Sequence, residues 1–339
     1  MMKTITICGG GSLGHVVAGW LAARRHAVVN LLTNRPEKWA HEIIVDTPEK
    51  ELLHAPLHIV SANPAEVIPM SDVVLLCLPG FLIRSELQKL KPHLSPHTFV
   101  GCVFSSTGFF FEAHEVLRAD QPLWGFQRVP FISRVNEYGQ SAHLLGHKQA
   151  HNVAIEHVSD SEKEAFAQML GEWFERPINI LKNFYEASLT NSNPLLHTSR
   201  LYTLFGGAHE GKPFPRMILF YEEWTTEAAD LYIKMDEEFF QLLKVLPVSD
   251  HFLPTALHYY ESHDAKSLAA KLSSIQSFKG IASPMKQTEE GWMPDFTSRY
   301  FTEDFPYGLK YIWKLAHEKG ISCPHIDKVY AWGMSKINI

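Results

Sequence analysis

The segment "CGGGSLG" (8–14) constrains the chain more than any other. It follows the short apolar run "TITIC" (4–8) and leads into "HVVAGWLAARR" (15–25), which reads as a helix. Gly9, Gly11 and Gly14 stand in G-x-G-x-x-G spacing, with Gly10 in the variable slot. A strand before such glycines and a helix after them is the context in which this spacing marks a dinucleotide site. The first glycine permits the tight turn, and the second lets the backbone approach a pyrophosphate. The third allows close helix–strand packing, and the helix N-terminus then faces the phosphates. Ser12 and Leu13 complete the loop and are expected at the cofactor with the glycines.

The remainder of the first half alternates strand-like and helix-like segments. "AVVNLL" (27–32) predicts a second strand. "DVVLLCLP" (72–79) and "TFVGCVF" (98–104) are continuously apolar, as parallel strands buried on both faces require. This alternation predicts an α/β fold with a Rossmann-type doubly wound parallel sheet. "AHLLGHK" (142–148), "HNVAIEHV" (151–158) and "PINIL" (177–181) extend the pattern. Before the last of them, "SDSEKEAFAQMLGEWF" predicts a helix capped by Ser161 and Glu164 at capping-box spacing. After about residue 183 helical periodicity dominates. Trp224, Ala228, Leu231, Met235 and Leu242 form one stripe; Leu268, Leu272 and Ile275 form another. "PYGLKYIWKLAHEKG" opens on Pro306 and closes on Gly320, helix start and stop signals. With 339 residues, two domains are expected: a dinucleotide-binding domain over 1–182 and an all-α helical domain over 183–339.

Bulk properties exclude several classes. The net charge of −6 has no block structure, so no nucleic-acid partner is expected. No apolar run is long enough to span a membrane, and "MMKTITICGGG" enters a strand without a charged leader, which argues against export. The four cysteines, Cys8, Cys77, Cys102 and Cys323, lack metal-ligand spacing, and no metal site is predicted. A reduced, cytoplasmic protein acting on small molecules is the expectation; a homodimer is compatible with it.

The end of the second strand bears on the cofactor. An NAD site carries an acid about 20 residues past the last glycine, yet Asn34 occupies that place and Arg35 follows it. A guanidinium here can hold a 2′-phosphate bidentately, which favours NADP over NAD. Leu78 and Pro79 end the strand 72–77 at the carboxyl edge of the sheet, where a dinucleotide crosses.

A second chemical feature is "SLTNSNPLLHTSRLY" (188–202). A dehydrogenase needs a group that moves a proton at the carbon receiving hydride, and His197 suits this near neutral pH. A carboxylate that fixes the imidazole tautomer improves it. Asp304, in "DFTSRYFTEDFPYGL" (295–309), is a candidate. Spacing alone leaves open whether the two meet.

Three ordered segments, "SLTNSNPLLH" (188–197), "FKGIASP" (278–284) and "TSRYFTEDFPYGL" (297–309), resemble the octopine dehydrogenase family of opine dehydrogenases. With the glycine loop, the resemblance spans nearly the whole chain. It implies a Rossmann domain followed by a helical domain, with catalysis in the cleft between them. The implied reaction is reductive condensation of an amino acid's amine with a 2-oxo acid, at the expense of NADH or NADPH. The family's catalytic His falls on His197 and its partner Asp on Asp304. Asn193 matches the polar position before that His, and Arg299 the arginine opening the R-Y-x-x-E-D segment. The resemblance implies an imine or carbinolamine between the substrates, with His197, held by Asp304, protonating the departing oxygen or buffering the iminium. Two substrate carboxylates require cations; Arg299 and Arg200, with Arg128, Arg134 and Lys279, are the candidates. Tyr300, Phe301, Phe305 and Tyr307 are expected to pack and to dry the pair. Two departures stand out: Thr198 replaces a frequent proline, and "MKQTEEGWMPDF" (285–296) is long. The amino-acid partner is therefore not transferable. Two other readings compete. One is a two-domain NADP reductase of ketopantoate or glycerol-3-phosphate type, which relies on a lysine from the helical domain. The other is a non-catalytic dinucleotide sensor.

Overall fold

Strand Thr4–Cys8 is flanked on one side by Val28–Leu32 and on the other by Val73–Leu76, both parallel to it. The chain order therefore reverses at this strand, which creates a crevice at its carboxyl end. In the computed structural model, which describes residues 2–337, these strands belong to an eight-stranded sheet. Beyond Val28–Leu32 lies the edge strand Ile59–Ser61. Beyond Val73–Leu76 lie Phe99–Cys102, Leu123–Phe126, His151–Glu156 and the other edge, Ile178–Ile180. The pair Leu123–Phe126 and His151–Glu156 is antiparallel; the other neighbours are parallel. Alternate residues of one strand feed two cores. Val73 and Leu75 join Trp20, Trp124 and Phe166, while Val74 and Leu76 join Ile83, Leu87 and Phe109. That double burial is what the unbroken apolar runs required.

A second sheet was not foreseen as such. Leu52–Pro56, Glu42–Asp46, Ser141–His147 and Phe131–Glu137 pair in that order. Residues 142–148, expected in the main alternation, pair instead with strands 42–46 and 131–137. Their half-buried, alternating pattern suits a sheet covered on one face. The covering element is helix Ser12–Ala23. Gly19 permits the approach, since a Cβ there would lie 2.3 Å from Val45 Cγ2.

Helix Asp160–Phe174 is capped by Ser159 and Glu162, not by Ser161 and Glu164. Both pairs have S-x-x-E spacing, but the earlier one satisfies the first free amides: Glu162 N–H donates to Ser159 Oγ at 3.3 Å. Helix Phe184–Ser188 stays with the sheet unit. It packs on strands 123–126 and 151–156, and Gln127 Nε2 donates to the Glu186 carbonyl at 2.9 Å. The chain thus divides into two compact units between Leu189 and Thr190, rather than at 182.

The second unit is helical apart from one hairpin. Helix Asn193–Phe205 packs against Thr226–Val245 and Pro324–Lys336; Ala265–Ser274 and Lys310–Glu318 also pack on Thr226–Val245. The stretch 285–296 is not a plain linker. It forms the antiparallel strands Met285–Thr288 and Gly291–Pro294. No helix among the described residues is long and apolar enough to cross a membrane.

Candidate active site

The glycine loop forms one wall of a cavity of about 360 Å³ in the sheet unit. Each glycine has a separate reason to be one. Gly9 has φ +119°, and a Cβ there would lie 2.7 Å from the Cys77 carbonyl oxygen. At Gly14 a Cβ would stand 1.9 Å from the Gly9 oxygen, so this position sets helix–strand packing. At Gly11 a Cβ would meet nothing within 4 Å, which leaves the backbone open to a ligand. The cavity is lined by Gly9, Gly10, Gly11, Asn34, Arg35, Leu78 and Pro79, and also by Thr33, Cys77, Ser85, Glu86, Lys89 and Tyr138. Of the other expected cofactor residues, Ser12 accepts the Val135 amide on its hydroxyl at 3.1 Å, and Leu13 packs against the core.

Two residues of this cradle carried no sequence signal. Tyr138, in the turn between strands 131–137 and 141–147, lies with its hydroxyl 3.2 Å from Thr33 Oγ1. Its ring sits under the Arg35 guanidinium, 4.4 Å from centroid to Cζ. This contact holds Arg35 at the strand end by a cation–π interaction. His15 is fully buried and ties the loop to that turn: the Gly139 amide donates to Nε2 at 2.7 Å, and Nδ1 donates to the Gly11 carbonyl at 3.0 Å. Burial lowers its pKa, keeping it the neutral brace that this pattern of bonds requires.

In the helical unit, Pro194 stands in the first turn of helix Asn193–Phe205 and His197 one turn on. Asn193 and His197 are four apart, so their side chains share a face. His197 Nδ1 donates to Asp304 Oδ2 at 2.8 Å. The side chains of the pair are 10% and 15% exposed. Asp304 directly precedes a five-residue π-helical turn, Phe305–Leu309. Gly308 in that turn presses on Pro194; a Cβ would lie 2.7 Å from Pro194 Cγ. The two segments therefore meet at contact distance, one turn from the hydrogen bond. Thr198, in the position often held by proline in the resembling family, is buried and donates its hydroxyl to the Pro194 carbonyl.

The neighbouring aromatics pack as expected. Phe301 and Phe305 are fully buried and stacked at 5.7 Å, and the Tyr300 ring lies 4.8 Å from His197. One partner was missed. Tyr221 donates its hydroxyl proton to His197 Nε2 at 2.8 Å, since Nδ1 already carries the ring proton toward Asp304. Burial, then Tyr300, Tyr260 and Asp304, raise the Tyr221 pKa, so the phenol stays protonated.

The candidate cations separate. Arg200 is only 2% exposed and donates to the carbonyls of Phe220 and Glu223 at 3.2 and 2.8 Å. It was expected to meet a substrate carboxylate; here its Nε and Nη2 donors brace the turn that carries Tyr221. Burial lowers its pKa to about 10. Arg299 projects, with its side chain 83% exposed and Glu303 at 3.8 Å. Arg128, Arg134 and Lys279 are exposed. Among the described residues, two clusters with metal-capable atoms belong to neither site. These are His114, Glu156 and His157, and His317, Cys323 and Asp327. Each is closed by an internal hydrogen bond, of 3.0 Å for His114–Glu156 and 2.7 Å for His317–Asp327.

Comparison with known proteins places both halves. Residues 180–337 match the model for the NAD/NADP octopine/nopaline dehydrogenase alpha-helical domain, and residues 5–107 match that for ketopantoate reductase. The chain is 27% identical to an opine dehydrogenase of Haliotis discus hannai, over 97% of this chain and 89% of that protein. It is 26% identical to an octopine dehydrogenase of Pecten maximus, over 99% and 91%. An octopine dehydrogenase solved with NADH and pyruvate shares the fold, with a TM-score of 0.83 at 24% identity, over 99% of this chain and 90% of that one.

Proposed function

This chain belongs to the octopine dehydrogenase family, and on that premise we propose that it is an NAD(P)-dependent opine dehydrogenase whose proton chemistry is run by His197 and Asp304. It joins the amine of an amino acid to the carbonyl carbon of a 2-oxo acid and reduces the product of that condensation. The observation that carries the assignment of residues is the 2.8 Å bond from His197 Nδ1 to Asp304 Oδ2 in a largely buried setting. The carboxylate fixes the ring so that Nε2 is the nitrogen that exchanges a proton, and it stabilises the imidazolium formed in turnover.

The cradle fits a nicotinamide dinucleotide, because the open Gly11 backbone and the start of helix Ser12–Ala23 offer a pyrophosphate its usual partners. Bound there, the reduced cofactor supplies the hydride. Arg35, held over Tyr138 beside Asn34 with no acid in the ribose position, favours NADP over NAD. Arg299 supplies a cation for a substrate carboxylate, and Asn193 a polar contact on the His197 face. His197 is the source of the proton taken up by the oxygen that departs as the condensation proceeds.

The test is His197→Ala. We expect hydride transfer to fall by ~10²-fold or more, the scale of a positioned acid–base group, while NADPH still binds, as followed by its fluorescence. Loss of NADPH binding together with activity would instead assign His197 a structural role.

A further inference from the structure

His197 has no free nitrogen. Nδ1 is bound to Asp304 and Nε2 to the Tyr221 hydroxyl, each at 2.8 Å. A proton that leaves the imidazole away from Asp304 therefore meets Tyr221 first. The phenol is held firmly in that place. Its ring stacks on Phe278 at 4.2 Å and on Trp224 at 5.9 Å. The Tyr221 carbonyl accepts from Ser273 Oγ at 3.2 Å and from the Trp224 amide at 3.1 Å. Buried Arg200 bonds the carbonyls on either side, at Phe220 and Glu223. Glu223 in turn accepts from the Leu219 amide at 2.8 Å and from Arg216 at 2.9 and 2.7 Å. A side chain that merely filled space would not need this bracing. A tyrosine rotating freely aside during turnover would be hindered by the stack.

We propose that Tyr221 is a further catalytic residue, the hydroxyl through which His197 passes its proton to the substrate. This rests on the opine dehydrogenase reading and adds a step to it. When the carbinolamine loses water, the amine nitrogen's electron pair forms the C=N bond as the C–O bond breaks. The Tyr221 hydroxyl gives its proton to the departing oxygen and takes the Nε2 proton of the imidazolium. The imidazole ends neutral, the phenol is restored, and one water and one iminium leave the step with no change of oxidation state. A phenol suits the task because its high pKa keeps it from resting as an anion, while its oxygen both accepts and donates.

The test is Tyr221→Phe, which keeps the ring stack. The assay is NADPH oxidation with pyruvate and whichever of the twenty amino acids the parent turns over fastest. We expect kcat to fall about 10- to 100-fold, part of the ~10²–10⁴-fold of general acid catalysis, with KM and NADPH binding within about twofold. Rates measured across mixtures of H₂O and D₂O should give a bowed dependence for the parent, from two protons in flight, and a straight one for the variant. An active parent whose Tyr221→Phe form keeps its kcat would overturn the relay and leave the family reading intact. Should the variant not fold, the parent decides alone, because a straight dependence there overturns the relay. A parent inactive with every pair would overturn the opine dehydrogenase reading and the relay together.

Discussion

On the proposed reading, Arg35 is the residue on which cofactor choice turns. Its guanidinium is pinned over Tyr138 and lines the cavity next to Asn34. A charge-assisted pair with a 2′-phosphate contributes ~1.5–3 kcal/mol. Arg35→Ala should therefore weaken NADPH about tenfold or more and leave NADH nearly unchanged, as read by titration of cofactor fluorescence. Equal affinity of the parent for both cofactors would remove the argument. At this scale legibility was uneven. The turn at Gly9 and the close packing at Gly14 followed from spacing, because each is a local backbone requirement. His197 and Asp304 were only candidates until a family pattern paired them, since nothing local joins residues 107 apart in sequence. Tyr221 gave no signal: it stands among other aromatics in "LFYEEW", and its role exists only where the fold brings it to Nε2. The burial of Arg200 was not legible, because a charged residue suggests solvent or ligand, whereas its Nε and Nη2 here meet main-chain carbonyls.

The decisive element is the π-helical turn Phe305–Leu309 behind Asp304. Such turns are rare and gather at functional sites. Its seat against Pro194 needs Gly308, and a methyl group there would force the turn off the helix that carries His197. Gly308→Ala should cost about 1–3 kcal/mol of stability, the usual penalty of overpacking. It should also lower kcat, through a lengthened His197–Asp304 bond, without changing cofactor affinity. Thermal unfolding and steady-state rates check both; unchanged values would show that the turn is not what sets the pair. The elements themselves were read well where burial on both faces or helical periodicity was strong. The second sheet escaped because its strands are half-buried and its central pairing is remote in sequence, with 42–46 against 141–147. The hairpin 285–294 was hidden because its first strand is largely polar and exposed and its second, Gly291–Pro294, contains a glycine and a proline.

Across the whole molecule, the sheet unit carries the glycine-lined cavity and the helical unit the bonded His197–Asp304 pair to which we assign the proton chemistry. The division falls at Leu189/Thr190 because a short helix after the last strand remains with the sheet. The sheet unit alone would suit many reductases, as its match to the ketopantoate reductase model shows. The helical unit is what sets the chain apart, since residues 180–337 match the octopine/nopaline dehydrogenase helical domain. The most direct measurement is NADPH oxidation with pyruvate, with each amino acid in turn and with none. Turnover that requires both substrates is the expected result. Oxidation with pyruvate alone at the same rate, or no oxidation with any pair, would contradict it.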